Sequence, residues 1–305
     1  QRLWYIRANE VLISSGSIER PLVFGNNDTP GVMLSSAAKE YMKVYGVLVG
    51  KKPLIFTNND SGYETAIEFK KNGVNPIILD TRSKPSSDII TEAKDLNIEI
   101  KFSYVVVAAK GYKKVKSADI AKISDDKKEL FNIENIECDC ICVSGFWTPS
   151  IHLASQSGNK SKFNEKIDAF VPDKSKQKEN TIGSANGIFT LEETIKDAFD
   201  KGFDVSNKIT EKNIKVSAPT VVEKKSTEHD KFWCVPLPKG KSYKRFLDFQ
   251  NDVAVTDIEL ALREGFRSIE HVKRYTTLGM ATDQGKTSNL NGLQLVSDIE
   301  NKVVP

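Results

Sequence analysis

Between Lys52 and Asp80 the chain reads as a strand, a helix and a second strand, and this unit constrains the fold more than any other stretch. Lys52 to Thr57 is short and apolar, a turn and helix run to about Asn72, and Val74 to Leu79 is apolar again before Asp80. A strand–helix–strand of this size is a βαβ unit, the building block of parallel α/β sheets. A dinucleotide-binding unit would carry Gly-x-Gly-x-x-Gly after its first strand, for a tight turn, close approach to pyrophosphate and helix packing. Here the turn is Thr57-Asn58-Asn59-Asp60-Ser61-Gly62, which keeps only the last glycine. Asn59 puts a side chain where pyrophosphate would press, and Asp60 adds a negative charge there. That charge suits the helix dipole but repels phosphate. Asp80 stands where a ribose-binding acid would. The unit reads as a dinucleotide fold kept as scaffold.

The flanking sequence extends this frame. Leu3, Trp4 and Ile6, then Val11, Leu12 and Ile13, read as a hairpin whose second strand ends at Ser14-Ser15-Gly16. Val32, Met33, Ala37, Tyr41 and Val44 have helical spacing over residues 31–45. Ile98–Phe102 with Tyr104–Ala108 suggests a further β layer, and Glu137–Ser144 is a strongly apolar strand. The small-residue turn Thr181-Ile182-Gly183-Ser184-Ala185-Asn186-Gly187 precedes a helix from Thr190 to about Lys201. Such a turn makes an anion-friendly helix start. Thr190 as N-cap with Glu193 completing a capping box accounts for the same residues. Asn207–Lys231 is polar and reads as a linker, followed by helices over 256–264, 268–275 and 288–301.

Composition removes several functions. With 44 basic and 41 acidic residues the net charge is +3, too balanced for a nucleic-acid binder. No apolar run reaches the roughly 18 residues a membrane helix needs. Cys138, Cys140 and Cys142 would share one face of a strand, where core thiols are a better reading than a zinc site. His152, His229 and His271 show no ligand spacing. No metal site is expected, and no acid–base pair is placed well enough to name as catalytic. The polar, hydroxyl-rich run from His271 to Asn289 offers donors to a phosphate or carboxylate.

Several motifs together resemble one family. They are Glu19-Arg20-Pro21-Leu22-Val23-Phe24, Asn27-Asp28-x-Pro30-Gly31-Val32-Met33, Asn59-Asp60-Ser61 and Val143-Ser144-Gly145-x-x-x-Pro149. With them go His152-Leu153-x-x-Gln156-Ser157-Gly158, Asp248-Phe249-Gln250-Asn251-Asp252-Val253 and the run from His271 to Asn289. The set resembles the alpha subunits of heterotetrameric sarcosine oxidases. The chain, from Gln1 to Pro305, is then expected to be an internal piece of a longer protein. Related amine dehydrogenase and hydrogen cyanide synthase subunits carry a cysteine-rich iron–sulfur module where Phe246 to Asp252 stands. This chain has no cysteine after Cys234, so no such cluster is ligated there.

The resemblance implies an α/β, two-dinucleotide-binding-domain flavoprotein-like (FAD/NAD(P)-binding) fold with a small helical C-terminal module. Residues 1–50 would be part of the first dinucleotide-binding (NAD) domain and 51–136 a nested, degenerate nucleotide-binding-like domain. Residues 137–205 would return to the first domain, 206–243 would be a linker, and 244–305 the helical module at the flavin and subunit interface. It implies NAD near Ser15, Gly16, Gly183, Ser184, Ile188 and Thr190. It also suggests Lys273, Arg274, Thr276, Thr277, Gly279, Thr282 and Gln284 as the alpha side of an FMN interface. FAD would lie in a beta subunit, tetrahydrofolate in a region beyond Pro305, and gamma and delta subunits would complete a cytoplasmic enzyme. The implied reaction is oxidative demethylation of sarcosine. A dimethylglycine-type amine oxidoreductase subunit and a noncatalytic scaffold subunit are the alternatives.

Overall fold

The computed structural model describes residues 2–210, 216–221 and 228–302. The chain divides into two compact units, residues 1–18 with 147–224 and residues 19–146 with 225–305.

The larger unit is built on a five-stranded sheet. In spatial order its strands are Val32–Leu34, Cys140–Ser144, Pro53–Thr57, Ile77–Asp80 and Glu99–Phe102, and all the pairings are parallel. Period-2 alternation then divides the apolar side chains between two cores. Leu54, Phe56, Leu79, Ile141 and Val143 face a three-stranded antiparallel sheet through Val105, Val107 and Ile120. That sheet is made of Tyr104–Gly111, Val115–Ile123 and Leu130–Glu137. Ile55, Ile78, Cys140 and Cys142 face the helices through Ala38, Met42, Tyr63, Phe69 and Ile90. The helices here are Ser35–Tyr45, Ser61–Lys71 and Asp88–Asp95.

Several expectations are corrected at this level. The apolar spacing over 31–45 covers a strand, Val32–Leu34, before the helix starts at Ser35. This strand, its helix and Cys140–Ser144 sit with residues 51–136 in one sheet, so the boundaries drawn at residues 50 and 137 do not separate compact bodies. The physical reason is that Cys140–Ser144 pairs on both sides, with Val32–Leu34 and with Pro53–Thr57, and sheet neighbours are not a local sequence property. The three cysteines do not share a face. The strand begins at Cys140, and Cys138 packs with Leu54 and Ile141 on the opposite core. Burial pushes the Cys138 thiol up to about 12, as suits a core thiol.

The stretch read as a linker, 206–243, is not uniformly one. Residues 228–235 run into the larger unit, where Phe232, Trp233 and Val235 are buried. Val23 donates to the Trp233 carbonyl (2.9 Å) and Val235 to the Val23 carbonyl (2.8 Å). The lysine-rich composition hides this apolar Phe-Trp-Cys-Val segment. Positions 211–215 and 222–227 of that linker lie outside the described residues. The C-terminal stretch holds three helices, Val255–Arg263, Ile269–Thr276 and Asn289–Glu300, within two residues of the spans expected. They pack through Ile258, Leu262, Val272 and Leu295, with Leu278 of the intervening loop, onto Val23 and Leu247.

The smaller unit holds a parallel pair, Val11–Ile13 with Glu179–Thr181, and a hairpin, Ser161–Asn164 with Ala169–Pro172. Residues 2–10 carry no strand, so the N-terminal hairpin is corrected: the partner of Val11–Ile13 comes from far along the chain. The helix Leu191–Thr210 runs nine residues past the expected end near Lys201. Ile195, Ala198, Phe199, Gly202 and Phe203 continue the apolar spacing through that point.

Candidate functional site

In the smaller unit the residues expected near NAD converge on one sheet edge. Val11–Ile13 and Glu179–Thr181 run parallel and in register, so both deliver their carboxyl ends to the same side. Ligands of open α/β sheets bind outside the carboxyl ends of strands. Ser15 and Gly16 follow the first strand. Ser15 Oγ donates to the Ser150 carbonyl (2.7 Å), and Ser150 N–H donates to the Gly16 carbonyl (2.9 Å). Gly16 has φ 74°, and a Cβ built on it meets nothing within 4 Å, so the turn leaves open space beside the backbone.

Gly183 follows the second strand, after Ile182 N–H bonds the Ile13 carbonyl. Its φ is 62°, and Ile188 N–H donates back to its carbonyl. The helix start is closed by its own residues. Thr190 Oγ1 accepts from Glu193 N–H (3.3 Å) and donates to the Glu193 carboxylate (2.8 Å). Gly183 N–H donates to Asp197 (2.9 Å), so this N–H is already taken. Ser184 lies half-buried between these bonds. The edge therefore offers open backbone at Ser15–Gly16 and a self-capped helix at Gly183–Thr190.

The corresponding edge of the larger unit is filled. Asn59 Oδ1 accepts from Ser61 N–H (2.8 Å) at the helix start, and its amide donates to the Ser144 carbonyl (3.2 Å). That side chain stands where a phosphate would meet the helix. Gly62, the retained glycine, serves helix packing: a Cβ there would lie 2.6 Å from Thr57 Cβ. Asp80 is fully buried and spent on protein groups. It accepts from Tyr63 OH (2.7 Å), Arg82 N–H (2.9 Å) and Arg82 Nη2 (2.8 Å). Arg82 Nη2 also pairs with Asp60 at 2.9 Å. Burial raises the Asp80 carboxyl against the pull of Arg82. Burial likewise lowers the guanidinium, but Asp80 and Asp60 more than reverse this, so Arg82 stays charged.

Residues 228–232 then cross this edge. Asp230 N–H bonds the Asn58 carbonyl (2.9 Å), and the Asp230 carboxylate takes Thr81 Oγ1 (2.9 Å) and Lys127 (2.7 Å). Arg82 Nη1 donates to the Glu228 carbonyl (3.2 Å), and the ring of His229 stacks on Phe146 at 4.0 Å. The sequence signal for this strap was Phe232-Trp233, which composition masked.

Glu19, of the Glu-Arg-Pro motif, lies beneath the same edge and accepts from Ser36 N–H (2.7 Å) at the start of Ser35–Tyr45. It is buried, and burial raises its carboxyl above the usual 4.5, with Ser144 and Ser36 opposing. A raised folded-state pKa means that Glu19 favours the fold below about pH 4.5 and loses that contribution as pH rises. Glu19→Gln, which keeps the acceptor, is expected to raise Tm at pH 8 by a margin that closes as pH approaches 4. A Tm difference independent of pH would refute this.

The residues expected at an FMN interface form the end of Ile269–Thr276 and the loop after it. Lys273 and Arg274 lie in the last helical turn, where cations suit the dipole. Neither makes an ion pair or hydrogen bond among the described residues. The hydroxyls are largely used locally. Thr276 Oγ1 donates to the Val272 carbonyl (2.8 Å), and Thr277 Oγ1 to the Thr276 carbonyl (2.6 Å). Gln284 Nε2 donates to the Ala281 carbonyl (2.9 Å), while Thr282 is exposed. Gly279, at φ 67°, donates its N–H to Asp248 (2.8 Å), and a Cβ at this position would clash with the Asn289 side chain. The loop is thus held from inside by Asp248 and Asn289, with Lys273 half-buried and Arg274 exposed at the helix end before it.

A parallel strand pair with an open turn at Ser15–Gly16, and a five-stranded parallel sheet whose ligand edge is filled, define the class: an α/β protein of the two-dinucleotide-binding-domain flavoprotein type. Solved structures agree on the fold. L-proline dehydrogenase from P. horikoshii matches with TM-score 0.59 and 21% identity over 97% of this chain and 54% of that one. T. acidophilum thioredoxin reductase matches with TM-score 0.50 and 19% identity over 64% and 62%.

Sequence comparison is more specific. The chain is similar to sarcosine oxidase subunit alpha over nearly all its length, at 35% identity with that of Rhizobium meliloti (strain 1021) and 30% with that of Corynebacterium sp. (strain P-1). These alignments cover 97% and 98% of this chain, which spans only 29% and 31% of the two relatives. Residues 242–305 match the family described as Sarcosine oxidase A3 domain. No described helix is long and apolar enough to cross a membrane.

Proposed function

We propose that this chain is part of the alpha subunit of a sarcosine oxidase, a cytoplasmic enzyme that demethylates sarcosine to glycine with release of hydrogen peroxide. The methyl carbon would leave as formaldehyde or as methylenetetrahydrofolate. The observation that carries the reading is the Lys273–Arg274 pair, without ion-pair or hydrogen-bond partners among the described residues, inside the segment similar to the A3 domain. Two cations beside a loop held by Asp248 and Asn289 suit the phosphate of FMN at an interface with a beta subunit. FMN, when bound, would supply electron transfer to oxygen, and this chain's part is to hold it. FAD belongs to the beta subunit and tetrahydrofolate to sequence beyond this chain, with gamma and delta subunits completing the assembly. NAD would lie along Ser15–Gly16, where the backbone is open, and be closed over by Gly183, Ser184, Ile188 and Thr190. Within the nested sheet the scaffold reading is favoured, since Arg82 and the strap fill its ligand edge.

The test is peroxide formation by the assembled complex on sarcosine and on dimethylglycine. Sarcosine as the better substrate supports the assignment; activity confined to another amine overturns it. In the same complex, Lys273→Ala with Arg274→Ala is expected to lower FMN content and oxidase rate by about tenfold, through lost charge-assisted contacts. Unchanged content and rate would remove these residues from the interface.

A further inference from the structure

A cavity of about 430 Å³ opens in the larger unit, well away in role from the two nucleotide-type edges. Its floor is apolar, formed by Leu22, Phe24, Met33 and Val143. Its mouth is a different chemistry. Asp28 and Asp252 stand there, both exposed, and neither carboxylate has a hydrogen-bond or ion-pair partner among the described residues. Phe249, 44% exposed, adds an aromatic ring, and Thr287 a hydroxyl. No lysine or arginine lines the cavity among the described residues.

The walls are fixed rather than loose. Asn27 locks to the backbone of Phe246 by two bonds of 2.8 Å, donating to its carbonyl and accepting from its N–H. The turn carrying Phe249 and Asp252 is tied by Asp248, which accepts from Gln250 N–H (2.9 Å) and Asn251 N–H (3.2 Å). Asp252 is held at φ 53° by that turn. Volumes of this order suit a small organic molecule, with an apolar body inside and a few polar groups fixing its orientation.

We infer that this cavity binds a hydrophobic ammonium, with the apolar group on the Leu22–Phe24 floor and the cation between Asp28, Asp252 and the face of Phe249. Two unpartnered carboxylates favour a positive charge and reject an anion. An aromatic ring adds attraction for ammonium. An apolar floor, with no lysine or arginine among the described lining residues and with Asn27 bonded to Phe246, leaves the rest of the ligand uncharged. The inference rests on the cavity alone and not on the assignment of the reaction.

The test uses phenethylammonium, with 2-phenylethanol and 3-phenylpropionate as neutral and anionic controls, titrated into the intact protein in its complex and read by ligand-observed NMR. Phenethylammonium is expected to bind about tenfold tighter than the alcohol, and the carboxylate not at all. Asp28→Asn with Asp252→Asn is expected to erase most of that preference, by about tenfold. Phe249→Ala should weaken the ammonium more than the alcohol. Because an amine oxidase has its own amine site, the decisive reading is the difference between parent and double variant at equal Tm. An unchanged ammonium affinity in the folded double variant overturns the inference. So does equal binding of the three probes, or no binding in the intact complex, as when a partner's side chain fills the cavity.

Discussion

Arg82→Ala is expected to destabilise the protein by about 3–5 kcal/mol, the cost of breaking a buried ion pair from one side. Arg82 sits between two carboxylates that are themselves 0% and 1% exposed, Asp80 and Asp60. Alanine removes the guanidinium that both carboxylates share and leaves Asp80 two neutral bonds, from Tyr63 OH and from the residue-82 N–H. The strap also loses its tie from Arg82 Nη1 to the Glu228 carbonyl. Arg82→Lys should recover only part of the loss, because one ammonium cannot reproduce the fork that reaches Asp60, Asp80 and Glu228 together. Replacing the whole set, Asp60→Asn, Asp80→Asn and Arg82→Met, should cost less than Arg82→Ala alone, since no buried charge is then left unpaired.

The pH dependence has a definite sign. Without the Arg82 guanidinium the main pull against the burial of Asp80 is gone and its carboxyl rises further, with the residue-82 N–H and Tyr63 OH still opposing. A raised folded-state pKa favours the fold at low pH, so the deficit of Arg82→Ala should shrink as pH falls below neutrality. Urea unfolding at pH 8 and pH 5 measures this. A loss below about 1 kcal/mol, the usual worth of a surface pair, would mean that the network is not buried in solution. On the proposed placement of NAD at the other sheet edge, NAD content per folded complex stays unchanged in this variant. A parallel loss of NAD would move the cofactor to the nested sheet.

This network shows why the sequence could be read only in part. The apolar run Lys52–Thr57, the helix after it and the strand ending in Asp80 are local patterns, and periodicity finds them. The loss of the fingerprint glycines was equally visible, and it pointed to a scaffold. What replaces the ligand was not visible. Arg82 is one basic residue among 44, and its partners are set by the fold. The strap at 228–235 lies in lysine-rich sequence, and only the burial of Phe232 and Trp233 shows that it belongs to the core. Pairing of Val11–Ile13 with Glu179–Thr181 spans some 168 residues and carries no local mark. The resemblance brought Ser15–Gly16 and Gly183–Thr190 together as expected neighbours. The Thr190–Glu193 cap was legible in the sequence, but that Asp197 takes the Gly183 N–H was not.

The same limit applies to the loop after Thr276, where the residue that matters most lies outside the motif's cations. Asp248, 3% exposed, accepts from Gly279 N–H at 2.8 Å and from Gln250 and Asn251 N–H. It joins two turns that are 31 residues apart in sequence. Asp248→Ala orphans a buried N–H at Gly279 and frees the other turn, so a loss of about 2–4 kcal/mol is expected. Asp248→Asn keeps an acceptor oxygen and should lose about half of that. Gly279→Ala attacks the same junction from the other side, through φ 67° and the Asn289 side chain against it. If Lys273 and Arg274 hold a flavin phosphate, their position depends on this junction. Asp248→Ala should then lower the flavin content of the assembled enzyme at temperatures where the fold remains intact, and Asp248→Asn should restore most of it. Flavin released on denaturation, measured against Tm, separates the outcomes. Full flavin content in a destabilised Asp248→Ala complex would make Asp248 a structural residue only, and would leave the loop free to move without consequence for the cofactor.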